Sequence, residues 1–398
     1  MRILFVTPYI PSLIRVRPYN LIRALAAIGY PVHLVALRPP EDRCAPIDDL
    51  RAACTRVDVF PLSRARTLWN ALRALPAALP LQAAYSHHPQ VERYLQDLAK
   101  TGQYAVVHVE HLRGAVLVDR VRGIPRVFDS VDSIAYLFEQ TSRQAARLRQ
   151  RLMARLDLAR TRRFEARAPF QFDRTLVTSP ADAHAFERMA DTHLDGRLTI
   201  LPNGVDLDYF HPADTPREPA TVLFSGKMSY HANAAAALYL AREIMPRLWQ
   251  RCAEARLLIV GKDPPPSVQE LSPDPRIEVT GYVSDVRPFF ARATVAIAPL
   301  LYGAGIQNKV LEAMACGVPV IATPQVCGAL KTQAGRDILI GQDADQLTSA
   351  ALDVINDPAY QNTIARAARQ YVERYHRWGD IAHDLVNVYQ CLSNPPIR

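Results

Sequence analysis

A glycine-containing loop in the C-terminal half carries residue types that suit the binding of a diphosphate. Residues 298–323 read APLLYGAGIQNKVLEAMACGVPVIAT, a pattern that predicts a strand, a loop, a helix and a second strand. Gly303 and Gly305 would let the backbone approach a ligand closely, and the helix that follows would present free amide groups at its positive end. A diphosphate cradle is one interpretation; a purely structural turn is the other.

Two charged residues follow this loop at helical spacing. Lys309 lies in the first turn of the predicted helix, where an ammonium could neutralise a phosphate oxygen. Glu312 lies about one turn later, where a carboxylate could accept two hydrogen bonds from a ribose diol. The alternative for this pair is a surface salt bridge.

Polar residues that could act on an acceptor hydroxyl follow two predicted strands of the first half. His108, Glu110 and His111 end one strand, and Asp129 and Asp132 follow the next. The ends of such strands are where doubly wound sheets bind ligands, and histidine or carboxylate groups there could polarise a hydroxyl. Each could equally be a hydrogen-bonded structural group.

Two arginines follow the first strand. Arg15 or Arg17 could offer a charged fork to a phosphate, with a solvent-facing arginine as the alternative.

Strand-like apolar runs alternate with helical patterns along the chain, which predicts parallel strands joined by crossover helices. The expected fold class is α/β with two Rossmann-like, doubly wound domains. Strands are predicted at residues 3–7, 32–37, 57–60, 105–109, 126–128, 175–178, 198–201, 221–225, 257–260, 277–280, 295–298, 318–323 and 338–340. Helices are predicted at residues 17–28, 232–250 and 307–316, and the chain after residue 344 is predicted to be helical.

The prolines of one aperiodic stretch suggest a boundary between domains. Residues 1–202 would form the first domain, 203–219 the crossing and 220–375 the second domain. The final segment, residues 376–398, is expected to be a helix that packs back on the first domain.

Composition and charge restrict the possible partners. The formal net charge of +8 comes from 47 Lys and Arg against 39 Asp and Glu. Charge is the only feature that would favour a nucleic-acid partner, and we do not expect one. Six scattered cysteines without a metal-binding spacing, and a first apolar run too short for a signal peptide, indicate a reduced, cytoplasmic protein. No stretch is long enough to span a membrane.

Residues 142–167 are predicted to form a long helix that is dense in arginine. Such a helix could lie on an anionic membrane at the inner face, or it could be an ordinary solvated helix. Its arginines include Arg147, Arg149, Arg151, Arg155, Arg160, Arg162 and Arg163.

The segment from residue 298 resembles the donor-binding motif of glycosyltransferase family four, whose members have the GT-B fold with two Rossmann-like domains facing a cleft. It looks most similar to bacterial exopolysaccharide sugar transferases, including those associated with PEP-CTERM and exosortase loci. Further resemblances occur in family order over most of the chain. They are PNGVD at residues 202–206, FSGKM at 224–228 with Asn233, LIVG at 258–261 and TGYV at 280–283.

The resemblance implies roles for named residues. Gly305 and the amides after it, at Ile306 and Gln307, would hold the donor diphosphate, together with the loops at Gly303 and Gly226. Lys227 and Lys309 would neutralise phosphate charge, and Glu312 would hold the ribose. Stabilising the leaving diphosphate would then be the main catalytic demand.

The sequence departs from the family pattern at two places. Ala304 stands where the family commonly has the first of two glutamates, so the sugar contacts cannot be carried over. The loop after the first strand also lacks the usual glycine pair. These departures suggest one alternative, a binding protein that has lost its activity.

The resemblance implies a glycosyltransferase that moves a sugar from a nucleotide diphosphate sugar to a glycan or lipid-linked acceptor, with retention and in exopolysaccharide or cell-surface glycan synthesis. No cofactor and no metal are expected, and the DLD sequence at residues 206–208 is interpreted as structural. A nucleotide-sugar epimerase or a sugar phosphorylase of the same fold is the second alternative. A dinucleotide-dependent oxidoreductase is less favoured, because no GxGxxG follows the first strand.

Overall fold

A computed structural model describes residues 1–42, 46–74, 76, 78–144 and 148–393. The chain divides into two compact units, Met1–Asn203 with Trp378–Arg398, and Gly204–Arg377. Each unit contains one parallel sheet, so the predicted α/β doubly wound class is confirmed.

Unit 1 has a seven-stranded sheet in the order β3-β2-β1-β4-β5-β6-β7, with every pair parallel. Its strands are β1 (Ile3–Thr7), β2 (Val32–Arg38), β3 (Arg56–Pro61), β4 (Val106–Glu110), β5 (Arg126–Val131), β6 (Arg174–Val177) and β7 (Leu198–Ile200). Its helices before residue 204 are α1 (Val16–Ala27), α2 (Asp48–Ala53), α3 (Arg64–Ala74), α4 (Leu81–Tyr85), α5 (Pro89–Lys100), α6 (His111–Ala115), α7 (Ile134–Gln144), α8 (Leu148–Gln171) and α9 (Pro180–Ala190).

The central strand and the first helix show why the local sequence forms these elements. All five residues of β1 are buried, as expected for a strand covered by helices on both faces. In α1, Leu21, Ile22 and Leu25 recur on one face and are fully buried. The helix ends where Gly29 takes a φ of +87° and Tyr30 N donates to Leu25 O, as the sequence predicts.

Unit 2 has a six-stranded parallel sheet in the order β10-β9-β8-β11-β12-β13. Its strands are β8 (Thr221–Ser225), β9 (Arg256–Val260), β10 (Ile277–Val279), β11 (Val295–Ala298), β12 (Val320–Ala322) and β13 (Leu339–Ile340). Its helices are α10 (His231–Tyr239), α11 (Met245–Trp249), α12 (Pro266–Gln269), α13 (Arg287–Arg292), α14 (Asn308–Ala315), α15 (Pro324–Cys327), α16 (Ala344–Asn356) and α17 (Pro358–Tyr375). A π-helical turn, Leu240–Ile244, joins α10 to α11.

The last helix, α18 (Trp378–Ser393), belongs to unit 1 although it follows unit 2 in the chain. Ile381, Leu385 and Tyr389 are buried in the same core as Leu21 and Leu25 of α1. The C-terminal helix therefore completes a core that begins about 370 positions earlier.

The helix predicted at residues 142–167 corresponds to α8 from residue 148 onward, whereas residues 142–144 end α7 instead. The structure has two helices there, α7 and α8, and they pack against each other. Glu165 of α8 explains the start of α7, because its carboxylate accepts hydrogen bonds from the backbone amides of Ile134 and Ala135 at 2.7 and 3.2 Å. Arg147 lies outside the described residues, as does Cys44.

Candidate functional site

Both sheets reverse their winding direction between two adjacent strands. In unit 2 this switch point lies between β8 and β11, and in unit 1 between β1 and β4. Doubly wound sheets bind ligands outside the carboxyl ends of the strands at such a point. The residues that directly follow these four strands are therefore the candidates for ligand binding.

Two glycines shape the loops after β8 and β9 in unit 2. Gly226 has a φ of +146° and Gly261 a φ of +149°, conformations that only glycine adopts readily. A Cβ atom on Gly261 would lie 1.8 Å from the carbonyl oxygen of Gly226. The two backbones are in close contact, and the neighbouring Lys227 side chain is exposed.

Lys309, in the first turn of α14, is oriented by neutral partners. Its Nζ donates to Oδ1 of Asn233 at 2.8 Å and to Oε1 of Gln307 at 3.2 Å, and it lies 5.5 Å from the centroid of the Phe224 ring. Burial lowers the pKa of this ammonium to about 8. A partly dehydrated cation without a carboxylate in direct contact is suited to a phosphate oxygen.

Glu312 lies one turn further along α14 and is half-buried. Burial raises the pKa of its carboxyl to about 7, against the opposing influence of the Lys309 charge. The predicted surface salt bridge between the two is absent from the described residues, since no Lys309–Glu312 pair lies within ion-pair distance. Lys309 keeps one of its three N–H donors for a ligand, because the other two bind Asn233 and Gln307.

The loop between β11 and α14 brings the remaining donor candidates to the same helix end. Gly305 has a φ of +65°, and the carbonyl of Gly303 accepts from Gln325 Nε2 at 2.9 Å. Ile306 is 8% exposed and packs into the unit 2 core, and Gln307 precedes the first residue of α14. The loop is thus anchored on both sides of the glycines.

Sequence reasoning missed a pair of aromatic residues beside this loop. His231 is the first residue of α10 and Tyr302 follows β11; their rings stack with centroids 5.4 Å apart, and Nδ1 lies 3.0 Å from the phenolic oxygen. Burial lowers the pKa of His231. The sequence places both residues after β8 and β11, the two strands at the switch point, and this position could have indicated a role in ligand binding.

In unit 1, Glu110 and His111 end β4 beside Tyr9, which follows β1. Glu110 is buried, and burial together with the charge of Asp129 raises the pKa of its carboxyl to about 8. His111 takes a φ of +65° and accepts a hydrogen bond from Arg113 N, while burial lowers its pKa to about 3. At neutral pH the structure therefore holds a neutral imidazole and a largely protonated carboxyl next to one another.

His108 and Asp129 lie in a buried network rather than facing an open site. Asp129 Oδ2 accepts from Arg17 Nε at 2.8 Å and lies 3.5 Å from His108 Nε2, while Tyr389 Oη lies 2.7 Å from His108 Nδ1. The desolvation of Asp129 is overcome by the Arg17 charge and by the His108 hydrogen bond, so its pKa is lowered. With these contacts, His108 and Asp129 act as hydrogen-bonded structural groups at the end of the sheet.

Arg17 is buried, with 4% of its surface exposed, so the solvent-facing alternative is wrong for this residue. Its Nη1 donates to the carbonyl of Pro202 at 3.1 Å and to Oδ1 of Asn203 at 2.9 Å, whereas Nη2 is buried without a hydrogen-bond partner.

Arg15 is not free to serve as a phosphate fork. Its guanidinium forms an ion pair with Asp42 and lies 4.0 Å from the centroid of the Tyr9 ring. A carboxylate already compensates its charge, so an incoming phosphate would have to compete with Asp42.

Asp132 is half-buried after a distorted end of β5. The register of β5 shifts between Asp129 and Val131, and Val131 has a φ of +68°, which is strained for a β-branched residue. Burial and the nearby charge of Asp182 raise the pKa of Asp132 to about 7, although Thr178 donates to it at 3.1 Å. Strain of this kind often accompanies ligand sites.

The DLD sequence forms a local turn. Asp206 Oδ1 accepts from the backbone amides of Asp208 and Tyr209 at 3.2 and 3.0 Å, which are the hydrogen bonds of this turn. In the part of the chain that the structure describes, no three His, Cys, Asp or Glu side chains form a group that could hold a metal ion.

Comparisons with known proteins agree with this architecture. A family model described as Glycosyltransferase Family 4 matches residues 15–209, and one described as Glycosyl transferases group 1 matches residues 219–357. Sucrose-phosphate synthase from Thermosynechococcus elongatus is similar in structure, with a TM-score of 0.70 over 98% of this chain and 99% of that chain at 21% identity. HepE of Anabaena, solved with UDP-glucose, has a TM-score of 0.68 over 98% and 100% at 16% identity.

Relatives of known function match over a shorter length. A phosphatidyl-myo-inositol mannosyltransferase of Mycolicibacterium smegmatis is 29% identical over 211 residues, 50% of this chain and 53% of the relative. A D-inositol 3-phosphate glycosyltransferase of Acidothermus cellulolyticus is 25% identical over 219 residues, 49% and 48% of the two chains. This chain therefore spans about half the length of the curated relatives it matches.

The chain has two units, each with a parallel sheet of Rossmann strand order, and it matches solved structures along almost its whole length. These features define the GT-B class. The two family models cover consecutive parts of the chain, one in each unit. The protein belongs to the glycosyltransferases of family four and group 1 that these models describe.

Proposed function

We propose that this protein transfers a sugar from a nucleotide diphosphate sugar to an acceptor without a catalytic metal. The arrangement at the start of α14 carries the proposal: the glycine loop, the partly dehydrated Lys309 and the half-buried Glu312 lie together after β11. Amide groups and an ammonium would stabilise negative charge on the leaving diphosphate, which is where charge grows in the transition state.

The structural relatives support the choice of donor class. HepE of Anabaena was solved with UDP and with UDP-glucose, and the relatives named above are glycosyltransferases. An epimerase of this fold and a protein that has lost its activity are therefore not favoured. Ala304 differs from the family pattern, so the identity of the sugar is left open.

On the acceptor side we propose that His111 and Glu110 in unit 1 contact the acceptor hydroxyl. His111 is half-buried and neutral near pH 7, so it can accept or donate a hydrogen bond. Asp132, also half-buried, is the second candidate. Arg17, held by Asp129 and Asn203, would orient this end of the sheet.

We further propose retention of the anomeric configuration and a role in bacterial exopolysaccharide or other cell-surface glycan synthesis, at the cytoplasmic face of the membrane. The described cysteines are all free, as a reducing compartment requires. Among the described residues, no helix has the length and apolar character needed to cross a bilayer. Contact of the arginine-rich residues 142–167 with an anionic membrane belongs to this proposal, and Arg155 and Arg163 of α8 are exposed.

The first experiment is a calorimetric screen of the purified protein against UDP, GDP, ADP, CMP and NAD, with magnesium and with EDTA. Stabilisation by one nucleoside diphosphate, unchanged by EDTA, is the expected result. Binding that requires the metal would overturn the metal-independent mechanism, and binding of NAD alone would overturn the donor class.

Site-directed variants then test the cradle. Lys309→Ala and Glu312→Ala should each weaken binding of the selected nucleotide about tenfold or more, because each removes a charged partner of the ligand. Lys331→Ala, at an exposed lysine of the same unit, is the matched control. Unchanged nucleotide affinity in both Lys309→Ala and Glu312→Ala would contradict this assignment of the donor site.

Stereochemistry and acceptor class need the complete reaction. With the donor identified, NMR of the product would show the same anomeric configuration as the donor if the enzyme retains it. A lipid extract and a soluble glycan fraction, supplied separately, would distinguish a lipid-linked acceptor from a free glycan; transfer to neither would count against the proposed role.

A further inference from the structure

Helix α3 of unit 1 is oriented in the opposite way to an ordinary surface helix. Its large apolar side chains face solvent: Leu68 is 64% exposed, Trp69 61% and Leu72 52%. Its two uncharged polar residues face the protein instead, since Thr67 is buried and Asn70 is half-buried. Surface helices of globular proteins normally bury the apolar stripe, so this stripe requires an explanation outside the unit.

Hydrogen bonds hold the helix in this orientation. Asn70 Nδ2 donates to the carbonyl of His87 at 2.8 Å and to that of Tyr85 at 3.4 Å, and both acceptors lie outside α3. Rotating α3 to bury Leu68 and Leu72 would break the Asn70 hydrogen bonds and expose Thr67. The outward stripe is therefore a property of the folded unit.

The same helix carries uncompensated positive charge beside the apolar stripe. Arg64, Arg66 and Arg73 are exposed, α3 contains no acidic residue, and none of the three forms an ion pair with any residue in the described ranges. By contrast, Arg162 on α8 pairs with Glu139 at 2.6 Å. The exposed Arg155, Arg163 and Arg167 of α8 likewise form no ion pair among the described residues, but α8 contains acidic residues and α3 contains none.

An open groove of about 770 Å³ lies between α3 and α5. Arg66, Trp69 and Arg73 line it from α3, and Arg93 and Tyr94 line it from α5. Its acidic residue, Asp97, lies 3.3 Å from Lys100 and is already compensated. The groove has the size and charge to hold the phosphate of a phospholipid headgroup.

We propose that α3 docks unit 1 on an anionic lipid bilayer. Leu68, Trp69 and Leu72 would enter the interface between headgroups and acyl chains, a position that tryptophan favours, while the arginines of α3 and the groove bind lipid phosphates. An apolar stripe flanked by free arginines is the pattern of helices that lie in the interface of an anionic bilayer. The proposal does not depend on the donor chemistry of unit 2.

The test is sedimentation of the full chain with vesicles of phosphatidylcholine alone and of phosphatidylcholine with phosphatidylglycerol. We expect binding to the anionic vesicles only, weakening as salt increases. Of the three tryptophans, Trp378 is buried and Trp249 is half-buried, so Trp69 is the exposed one. Insertion of α3 should shift the tryptophan fluorescence to the blue when vesicles bind. Trp69→Phe should abolish this shift. Absence of binding to anionic vesicles at low salt would overturn the proposal.

Matched variants locate the surface. Arg66→Gln with Arg73→Gln should weaken binding about 30-fold, since each basic residue near an anionic surface contributes about a fivefold change. Leu68→Ser with Leu72→Ser should weaken it about tenfold or more. The comparison variants carry the same substitutions on α8, in the segment 142–167 for which membrane contact is also proposed. They are Arg155→Gln with Arg163→Gln, and Leu152→Ser with Leu156→Ser, all at exposed positions.

The outcomes separate the possibilities. Loss of binding in the α3 pairs supports the proposal, whether or not the α8 pairs also lose binding. Loss of binding in the α8 pairs alone overturns it. Sedimentation equilibrium tests self-association. If the wild-type protein is a dimer and Leu68→Ser with Leu72→Ser makes it a monomer, the apolar stripe is a dimer contact and the membrane proposal is overturned. Nucleotide affinity, measured on the same preparations, should not change, so a failure of vesicle binding is distinguishable from a failure of the donor site.

Discussion

Tyr389 in the last helix places its hydroxyl 2.7 Å from Nδ1 of His108, which is 281 positions earlier in the chain. A tyrosine hydroxyl that donates to Nδ1 leaves the proton of the neutral imidazole on Nε2, which faces Asp129 at 3.5 Å. Asp129 in turn binds Arg17. The C-terminal helix thus orders the carboxyl ends of β4 and β5.

We predict that Tyr389→Phe lowers the free energy of unfolding by about 1–3 kcal/mol, because a buried imidazole nitrogen loses its partner. Thermal and urea unfolding would measure the loss. Tyr375→Phe, which alters a tyrosine that is 44% exposed, is the control and should change stability very little. Equal effects of the two substitutions would contradict the role given to Tyr389.

Donor binding should be strongest between about pH 7 and pH 8. Below this window Glu312, whose pKa is about 7, becomes protonated and accepts hydrogen bonds from a ribose diol less well; above it Lys309, whose pKa is about 8, loses its charge. Calorimetry with the nucleotide sugar, which lacks a titrating terminal phosphate, would give the profile.

The two limbs of this profile should respond to separate substitutions. Lys309→Arg should extend binding above pH 8, because a guanidinium stays charged there, and Glu312→Gln should remove the acidic limb. A profile that is flat in the wild type would exclude both groups from the binding site.

Gly261→Ala should disrupt the donor loop as well as the fold of unit 2. Its new methyl group would lie 1.8 Å from the Gly226 carbonyl oxygen, so the loop that carries Lys227 must move. We expect a destabilisation of about 3 kcal/mol or more and a loss of nucleotide affinity. Gly379→Ala, where a Cβ meets nothing within 4 Å, is the control; wild-type affinity in Gly261→Ala would contradict the close packing of the two loops.

Glu110 should make the protein less stable as the pH rises. Its pKa is raised from 4.5 to about 8 in the folded state, so the folded protein holds a proton that the unfolded chain releases between these values. This contribution is fully present below pH 4.5 and is lost as the pH approaches 8.

The substitution Glu110→Gln, which cannot ionise, should therefore stabilise the protein at pH 8–9 by about 2 kcal/mol or more and have little effect near pH 5. Urea unfolding at both pH values measures this difference. The control Asp195→Asn removes an exposed carboxylate of the same unit. A gain of equal size at both pH values would show that the effect is not one of titration.

Local sequence was sufficient to locate the strands and the donor loop. The runs at residues 3–7, 221–225 and 295–298 become β1, β8 and β11 with unchanged bounds, because continuous apolar residues between polar turns favour a buried parallel strand. The donor-site candidates lie close together because they are neighbours along one loop and one helix. They are Gly303, Gly305, Lys309 and Glu312.

Contacts between distant segments were decided only by the tertiary structure. No local pattern indicates that Tyr389 binds His108, that Asp129 rather than a phosphate pairs with Arg17, or that Asp42 neutralises Arg15. Likewise, no local pattern indicates that Glu165, far along α8, accepts hydrogen bonds from the first backbone amides of α7.

The sequence by itself determined the α/β class, the order of its strands along the chain and the glycine loop with its charged helix, because apolar periodicity and glycine placement act over a few residues. Only the folded structure decided which charges lose water and which side of α3 faces outward. Burial and long-range hydrogen bonds set both, through groups such as Glu110 and Asn70 whose surroundings come from residues remote in the chain.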